Sequence, residues 1–322
     1  MTRIAFLLSI ILIAGCNQNK DSKQVIEEPD WWLWAVDWHP NDDWLAAGGT
    51  QDSLRIFSLT QNKLIKNYPI PGTITKVKWH PTQDKLAIAT QGQKASSYIL
   101  DTNTNERIEL DSVYEFGARA IGWNRTGDLL AVGDYEGKLL LFDPKGNLIK
   151  KIDSDQKSLI GLDWHPTKNL IAAIGEKVLL YDVDEDSLTD IEDRDEEVLM
   201  LCVAWHPSGE FFVTGDYGDY EKPHPALLQY WTEEGEKIRS IEESKAEYRN
   251  IAWSKDGQVL ATASEKVRLW DDQGNIVAQA PVENLLWGID WNSDGTRLVT
   301  TDEKGKLTIW DRELNQGTEL AY

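Results

Sequence analysis

A three-strand pattern repeats seven times along this chain of 322 residues. Its clearest copy consists of residues 162–166 (LDWHP), 170–175 (LIAAIG) and 178–182 (VLLYD). The first run ends on a tryptophan before a proline turn, the second closes on glycine, and the third ends in an aromatic–aspartate pair, as expected of short strands. The tryptophans that mark the copies, called the core tryptophans below, are Trp38, Trp79, Trp123, Trp164, Trp205, Trp253 and Trp291.

The core tryptophans are spaced 38 to 48 residues apart, which is typical of a β-propeller with one four-stranded sheet per repeat. A single small sheet cannot bury both faces, whereas a ring of sheets packed face to face buries all of them. We therefore predict an all-β fold, a seven-bladed β-propeller of four-stranded antiparallel blades, in which residues 24–322 form a single domain. The residue two before each core tryptophan is apolar and the residue three before is mostly small, which suits the crowded inner edge of a ring.

The third strands of four repeats end in an aromatic residue followed by aspartate, at Trp270-Asp271, Trp310-Asp311, Phe142-Asp143 and Tyr181-Asp182. In these pairs the chain resembles the WD-repeat β-propellers, over about residues 24–311. It differs from that family in having no Gly-His pair at the start of its repeats, so the family's His-to-Asp hydrogen-bond network is not expected. The resemblance implies a binding platform, and a fold alone defines no sharper function.

The N-terminus predicts export. Residues 1–15 carry one basic residue, Arg3, before an apolar run at residues 4–15 that is too short to span a bilayer, as in a signal peptide. The tetrapeptide IAGC at residues 13–16 resembles the lipobox of bacterial lipoproteins. That resemblance implies that Cys16 is lipidated and becomes the mature N-terminus. The alternative is an ordinary secretory signal.

We expect the polar residues 17–23 to form a flexible tether between the lipid and the domain. In Gram-negative bacteria, an aspartate directly after the lipidated cysteine retains a lipoprotein at the inner membrane, and Asn17 stands there instead. The resemblance therefore implies a protein held in the cell envelope by its lipid alone, at the outer membrane and facing the periplasm.

Charge and cysteine content exclude some classes of function. The formal net charge of −21 argues against nucleic acid as a partner and against electrostatic adhesion to anionic lipid. There are two cysteines, and with Cys16 committed to lipid no disulfide framework can form. Cys202 stands in an apolar strand, where we expect it to act as a small buried hydrophobe.

No metal or cofactor site is predicted. Four histidines occur in Trp-His-Pro, one per repeat, where they cannot converge on one zinc ion and are expected to be turn residues: His39, His80, His165 and His206. The acidic run at residues 182–193 echoes the ligand spacing of an EF-hand, but Ser187 stands where that loop needs glycine, so a solvated strand and turn is expected. The sequence contains no Gly-x-Ser-x-Gly motif and no phosphate-binding glycine loop.

The residue four before each core tryptophan should face the mouth of the axial channel. Around the ring that position holds Trp34, Thr75, Arg119, Ile160, Leu201, Arg249 and Trp287. The set predicts an apolar and aromatic mouth with two cations. Four tryptophans beyond the repeat pattern lie at the starts of first strands in repeats one and seven, which ring closure makes neighbours: Trp31, Trp32, Trp34 and Trp287.

One connection is longer than its counterparts. The count from the core tryptophan to the end of the third strand is 17 to 21 residues in six repeats, but 26 from Trp205 to Trp231. The excess falls within residues 215–225, which include Tyr217 and Tyr220. In a propeller this connection emerges on the face where the first strands begin. A tolerated surface loop and a tryptophan plug of the closure seam would account for both features without a binding function.

Surplus aromatic residues that cluster typically mark a contact surface. We therefore predict a monomeric, non-catalytic scaffold that binds an envelope protein or peptide through Trp31, Trp32, Trp34, Arg119, Tyr217, Tyr220, Arg249 and Trp287. The alternatives are a carbohydrate or small-molecule binder and an enzyme, a hydrolase or lactonase, with its site at the mouth. An enzyme would need several carboxylates, amides or histidines there, and the position four before the tryptophan supplies none.

Two segments compete for the outer strand of the last blade. Residues 24–29 precede the first repeat much as residues 275–281 precede the last. We expect this N-terminal segment to pair with the final blade and close the ring. The alternative is closure by the C-terminal segment, residues 317–322.

Overall fold

The computed structural model describes residues 32–93, 95–111, 113–191, 198–218, 224–315 and 318–320. These residues form seven four-stranded antiparallel sheets, each built from strands that are consecutive in sequence. The first strands of neighbouring sheets contact each other around a ring, and the first strand of the seventh sheet contacts that of the first. The predicted seven-bladed β-propeller is therefore confirmed, with the first strands nearest the axis.

The inner two strands of each blade carry the core tryptophan and the apolar run that follows it. The first strands are β1 (Leu33–Trp38), β5 (Thr73–Trp79), β9 (Ala118–Trp123), β13 (Gly161–Trp164), β17 (Met200–Trp205), β21 (Asn250–Trp253) and β25 (Leu286–Trp291). The second strands are β2 (Trp44–Gly49), β6 (Lys85–Gln91), β10 (Leu130–Asp134), β14 (Leu170–Ile174), β18 (Phe211–Asp216), β22 (Leu260–Ala263) and β26 (Arg297–Asp302).

The third strands are mostly buried, whereas the fourth strands, at the outer edge of each blade, are largely exposed. The third strands are β3 (Ser53–Ser58), β7 (Ser97–Asp101), β11 (Lys138–Phe142), β15 (Val178–Asp182), β19 (Leu228–Thr232), β23 (Lys266–Trp270) and β27 (Leu307–Asp311). The fourth strands are β4 (Lys63–Pro69), β8 (Arg107–Glu109), β12 (Leu148–Asp153), β16 (Ser187–Ile191), β20 (Lys237–Ile241), β24 (Ile276–Pro281) and β28 (Thr318–Glu319).

The core is divided into seven apolar clusters, each shared by adjacent blades. The apolar residues two before the core tryptophans contribute to this packing, as predicted; Val77, for example, is fully buried. The small residues three before are needed where blades approach closely. At Gly288 a Cβ atom would lie 2.4 Å from Thr301 Oγ1 of the same blade and 3.0 Å from Val36 Cγ1 of the next blade, so a larger residue would clash both within its blade and with the neighbouring one.

The C-terminal segment supplies the outer strand of the seventh blade. β28 pairs antiparallel with Thr308 and Ile309 of β27, and Leu320, directly after it, is buried in the seam between the seventh and first blades. The expectation that residues 24–29 take this place is therefore wrong, because the edge of β27 is already paired and its seam already filled. Residues 24–29 themselves lie outside the described residues.

The Trp-His-Pro histidines are turn residues, as predicted. In three of them Nε2 donates a hydrogen bond of 2.9 to 3.1 Å to a glycine carbonyl in the next blade, pairing His80 with Gly127, His165 with Gly209 and His206 with Gly257. Nδ1 accepts a backbone N–H two residues further on. These bonds require a neutral ring, and burial lowers the pKa of His80 and His165 accordingly.

The acidic run folds as the end of β15, a turn and β16. The Asp182 carboxylate accepts the backbone N–H groups of Asp184 and Glu185, and Asp186 accepts the Tyr181 hydroxyl at 2.9 Å. The predicted strand and turn is confirmed, and the end of the run, residues 192–193, lies outside the described residues. Over the described ranges, no three His, Cys, Asp or Glu side chains are placed to hold a metal ion.

Candidate functional site: the channel mouth

Five blades have a β-bulge at the start of the first strand. In β1, Leu33 and Ala35 face consecutive residues of β2, so Trp34 is an extra residue in the ladder. A bulge interrupts the two-residue alternation of a strand and re-aims the side chain of the extra residue. The bulged residues are Trp34, Thr75, Arg119, Leu201 and Trp287.

The bulged side chains converge on one cavity at the end of the axial channel. All seven residues that stand four before a core tryptophan line this cavity. The two that are not bulged, Ile160 and Arg249, directly precede β13 and β21. The structure therefore places the whole predicted set at the channel mouth.

The floor of the mouth is a hydrogen bond across the axis. Lys76 belongs to the second blade and Asn250 to the sixth, and the Lys76 ammonium donates to Asn250 Oδ1 at 3.0 Å. Both side chains line the cavity. A cation therefore lies at the base of the mouth.

Three tryptophans form one aromatic cluster at the seam between the first and seventh blades. The Trp34 and Trp287 rings stack with centroids 4.6 Å apart and planes 14° apart, and Trp32 contacts Trp287 at 5.4 Å in a tilted arrangement. Trp287 is 7% exposed, whereas Trp32 and Trp34 are half-buried. The outer two rings thus present an aromatic surface supported from beneath by the third.

Two arginines lie against this cluster. The Arg249 guanidinium is 3.7 Å from the centroid of the Trp287 ring, and the Arg119 guanidinium is 5.7 Å from that of Trp34. Such cation–π contacts hold the long side chains in place. Arg249 also forms an ion pair with Glu247. Burial lowers the pKa of Arg249, an effect that Glu247 opposes and the nearby Arg119 reinforces.

The other predicted site residues are less closely joined. Tyr217 is 47% exposed, and its backbone N–H bonds to Leu199, just before β17. The enlarged connection therefore starts on the mouth side of the ring, as predicted. Tyr217 lies outside the cavity lining but is near enough to influence the pKa of Arg249. Trp31 and Tyr220 lie outside the described residues.

Cys202 is a buried structural residue, as expected. It is 4% exposed, and its Sγ donates to the Tyr248 carbonyl at 3.2 Å. Burial raises the pKa of its thiol to about 12, so the reactive thiolate is strongly disfavoured.

A layer of buried charge lies below the mouth and was not predicted from the sequence. The side chains directly before three core tryptophans are carboxylates, and each accepts the backbone N–H of the core tryptophan in the next blade at 2.7 Å: Asp290 to Trp38, Asp37 to Trp79 and Asp163 to Trp205. These bonds tie blade seven to one, one to two and four to five. The sequence signal that could have indicated this layer is an aspartate directly before the core tryptophan in three of the seven repeats.

The charges in this layer perturb one another. Burial raises the pKa of Asp290 to about 7, with Lys78 opposing the shift and Asp37 adding to it. Burial also raises the pKa of Asp163 and lowers the pKa of Lys76 to about 8. Lys78 pairs with Asp37; burial would lower its pKa, but the carboxylates of Asp37 and Asp290 hold it above the ordinary value.

Asp290 predicts a specific pH dependence of stability. In the unfolded chain its carboxyl group should ionise near pH 4, whereas in the propeller its pKa is about 7. Between these values the folded state keeps a proton that the unfolded state has lost, so raising the pH favours unfolding. Asp290→Asn should remove this contribution, so the melting temperature of the variant relative to wild type should rise from pH 4 to pH 7.

The check is calorimetry of wild type and variant across that range. The exposed Asp272 serves as control, since Asp272→Asn should leave the pH profile unchanged. Parallel profiles for wild type and Asp290→Asn would show that the buried carboxyl group is ionised throughout.

Three segments of the chain match the family model described as WD domain, G-beta repeat: residues 21–58, 194–219 and 279–311. The described residues of these segments lie mainly on the first, fifth and seventh blades. The chain is therefore a seven-bladed β-propeller in which three segments are similar to WD40 repeats.

Related proteins cover much of this chain at low identity. WD repeat-containing protein 19 of Mus musculus is 21% identical over 83% of this chain and 24% of its own length. Intraflagellar transport protein 80 homolog of Mus musculus is 20% identical over 74% of this chain and 31% of its own. Eukaryotic translation initiation factor 3 subunit I of Emericella nidulans is 26% identical over 35% of this chain and 37% of its own. The chain thus spans well under half the length of each relative.

Proposed function

We propose that this protein is a non-catalytic scaffold that binds a protein or peptide partner at the channel mouth. The observation that carries the proposal is the convergence of two tryptophans and two arginines, from four different blades, on one cavity. Tryptophan and arginine contribute most strongly to binding when an interface removes them from water. The matches to the WD-repeat model and to WD-repeat relatives point the same way.

The arrangement is also suited to binding because it is already ordered. The tryptophans are stacked, the arginines lie on their rings, and the bulges that carry three of the four are fixed within sheets. A surface that needs little reordering loses less side-chain entropy when a partner binds.

Photo-crosslinking from the rim of the mouth tests this proposal. A photoreactive phenylalanine at position 217 replaces an exposed tyrosine and should capture a defined partner in cells, to be identified by mass spectrometry. The same group at position 44, a half-buried tryptophan on the opposite rim, is the control. Identical products from both positions, or none from position 217, would contradict the proposal.

The anchor remains a second, separate part of the proposal. Its support is the sequence of residues 1–16, which lie outside the described residues: lipid on Cys16 would hold the propeller in the cell envelope, at the outer membrane and facing the periplasm. None of the described residues forms a helix long and apolar enough to cross a membrane.

Cys16→Ala is expected to release the protein from the membrane fraction and to abolish labelling by a fatty-acid analogue, because it removes the thiol that would carry the lipid. Cys202→Ala is the matched control: it removes the other cysteine and should leave both membrane association and labelling intact. Wild-type protein that is unlabelled and freely soluble would contradict the assignment of Cys16 as the lipid anchor.

A further inference from the structure

We propose that the group recognised at the channel mouth is a carboxylate, presented by an acidic side chain or by the C-terminus of a peptide. This inference rests on the proposed function, namely that the mouth binds a peptide or protein. It specifies the chemistry of the bound residue.

The first support is the local charge balance. Three cations line the mouth, Lys76, Arg119 and Arg249, and Glu247 pairs with the last of them. In the parts of the chain that the structure describes, neither Lys76 nor Arg119 has a carboxylate within 4.0 Å. Lys76 is also attracted by the Asp37 and Asp163 carboxylates of the layer below, which leaves Arg119 as the uncompensated cation of the mouth. In a chain of net charge −21, such a cation forms a site complementary to an anion.

The second support is the inventory of unused hydrogen-bonding atoms. Among the described residues that line the mouth, the buried polar side-chain atoms without a partner are Trp34 Nε1, Trp287 Nε1 and Arg249 Nε. All three are donors. A carboxylate only accepts hydrogen bonds and offers about four acceptor sites, so it complements a surplus of donors better than an amide, an alcohol or an amine.

The third support is the approach of two like charges. Repulsion from Arg119 contributes to the lowered pKa of Arg249, and such repulsion is relieved when an anion lies between the two guanidinium groups. Arginine suits this role because its planar group binds carboxylates through paired hydrogen bonds.

The walls specify the rest of the ligand. Ile160 and Leu201 line the mouth opposite the tryptophan stack, so the carboxylate should belong to, or adjoin, a residue with an apolar or aromatic side chain. An acidic residue without such a neighbour would gain charge contacts but leave this apolar wall exposed to water. The overall negative charge would also oppose the approach of generally acidic partners.

Two peptide pools test the proposal. Random peptides of one composition are made with a free-acid or an amidated C-terminus, passed over the immobilised protein and identified by mass spectrometry. Enrichment confined to the free-acid pool would assign the α-carboxylate, and enrichment of Asp- or Glu-containing peptides in both pools would assign the side chain; either result supports the proposal. Enrichment of neutral or basic peptides would overturn it, as would displacement by inorganic phosphate but not by acetate.

Two variants make the test specific to the mouth. Arg119→Gln should weaken binding of the enriched peptide at least tenfold. Arg312→Gln should leave this binding unchanged, since Arg312 pairs with Asp256 on the opposite rim. Melting curves confirm that both variants are folded. If position 217 captures a partner in cells but the enriched peptides are neutral, the proposed function stands and the carboxylate assignment fails. If position 217 captures no partner and neither pool is enriched, both fail.

Discussion

Trp34→Ala is expected to weaken binding of the partner captured at the mouth by at least tenfold. Truncating a tryptophan at the centre of an interface typically costs about 2 kcal/mol or more, and a tenfold change in Kd corresponds to about 1.4 kcal/mol. Trp34 is half-buried, so most of its loss should fall on binding and little on folding. Titration calorimetry with the partner, beside a melting curve of each protein, measures both effects.

The same prediction can be tested at Trp287, the ring that supports Trp34. Trp287 lies beneath Trp34 and Arg249 and is 7% exposed, so Trp287→Ala should weaken binding as strongly and lower stability as well. Trp44→Ala is the matched control, a half-buried tryptophan of the first blade on the opposite rim. If folded Trp34→Ala binds normally and only its melting temperature has fallen, the tryptophans are a plug of the closure seam.

Ending the chain after residue 315 is expected to lower the melting temperature by on the order of 5 °C. The truncation removes β28, exposes the edge of β27 and empties the seam site of Leu320. Loss of a buried leucine side chain costs about 2 to 5 kcal/mol, and in a domain of this size each kcal/mol shifts the melting temperature by roughly 2 °C.

Leu320→Ala separates the two contributions, since it keeps the strand and should reproduce a large part of the loss. The comparison that decides how the ring is closed is deletion of residues 24–29. A larger fall in melting temperature from that deletion than from the C-terminal truncation would show that the N-terminal segment is the stabilising strand.

The fold could be predicted from the sequence because a single residue, the core tryptophan, marks the same position in every repeat. A core tryptophan every 38 to 48 residues locates every first strand, and the apolar residue two before it identifies the face packed between blades. The seven mouth residues followed from the same count, because a fixed offset from a repeated residue falls at the same height in every blade.

The remaining features depend on contacts between distant parts of the chain. The position four before the tryptophan reaches the mouth through bulges such as those at Trp34 and Arg119, and a one-residue irregularity leaves no mark in apolar periodicity. Asp290 acts on a backbone N–H of the first blade, 252 residues away. Closure by β28 rests on two paired residues and one buried leucine, too short a segment to carry a strand pattern.

Hydrogen–deuterium exchange of the complex tests most directly whether the partner binds at the channel mouth. Binding is expected to slow exchange in peptides that contain the starts of β1, β9, β21 and β25, where the aromatic and cationic residues lie. The Trp-His-Pro turns on the opposite rim should exchange at unchanged rates. Protection confined to those turns or to the outer strands, with the starts of the first strands unaffected, would contradict the assignment of the mouth as the binding site.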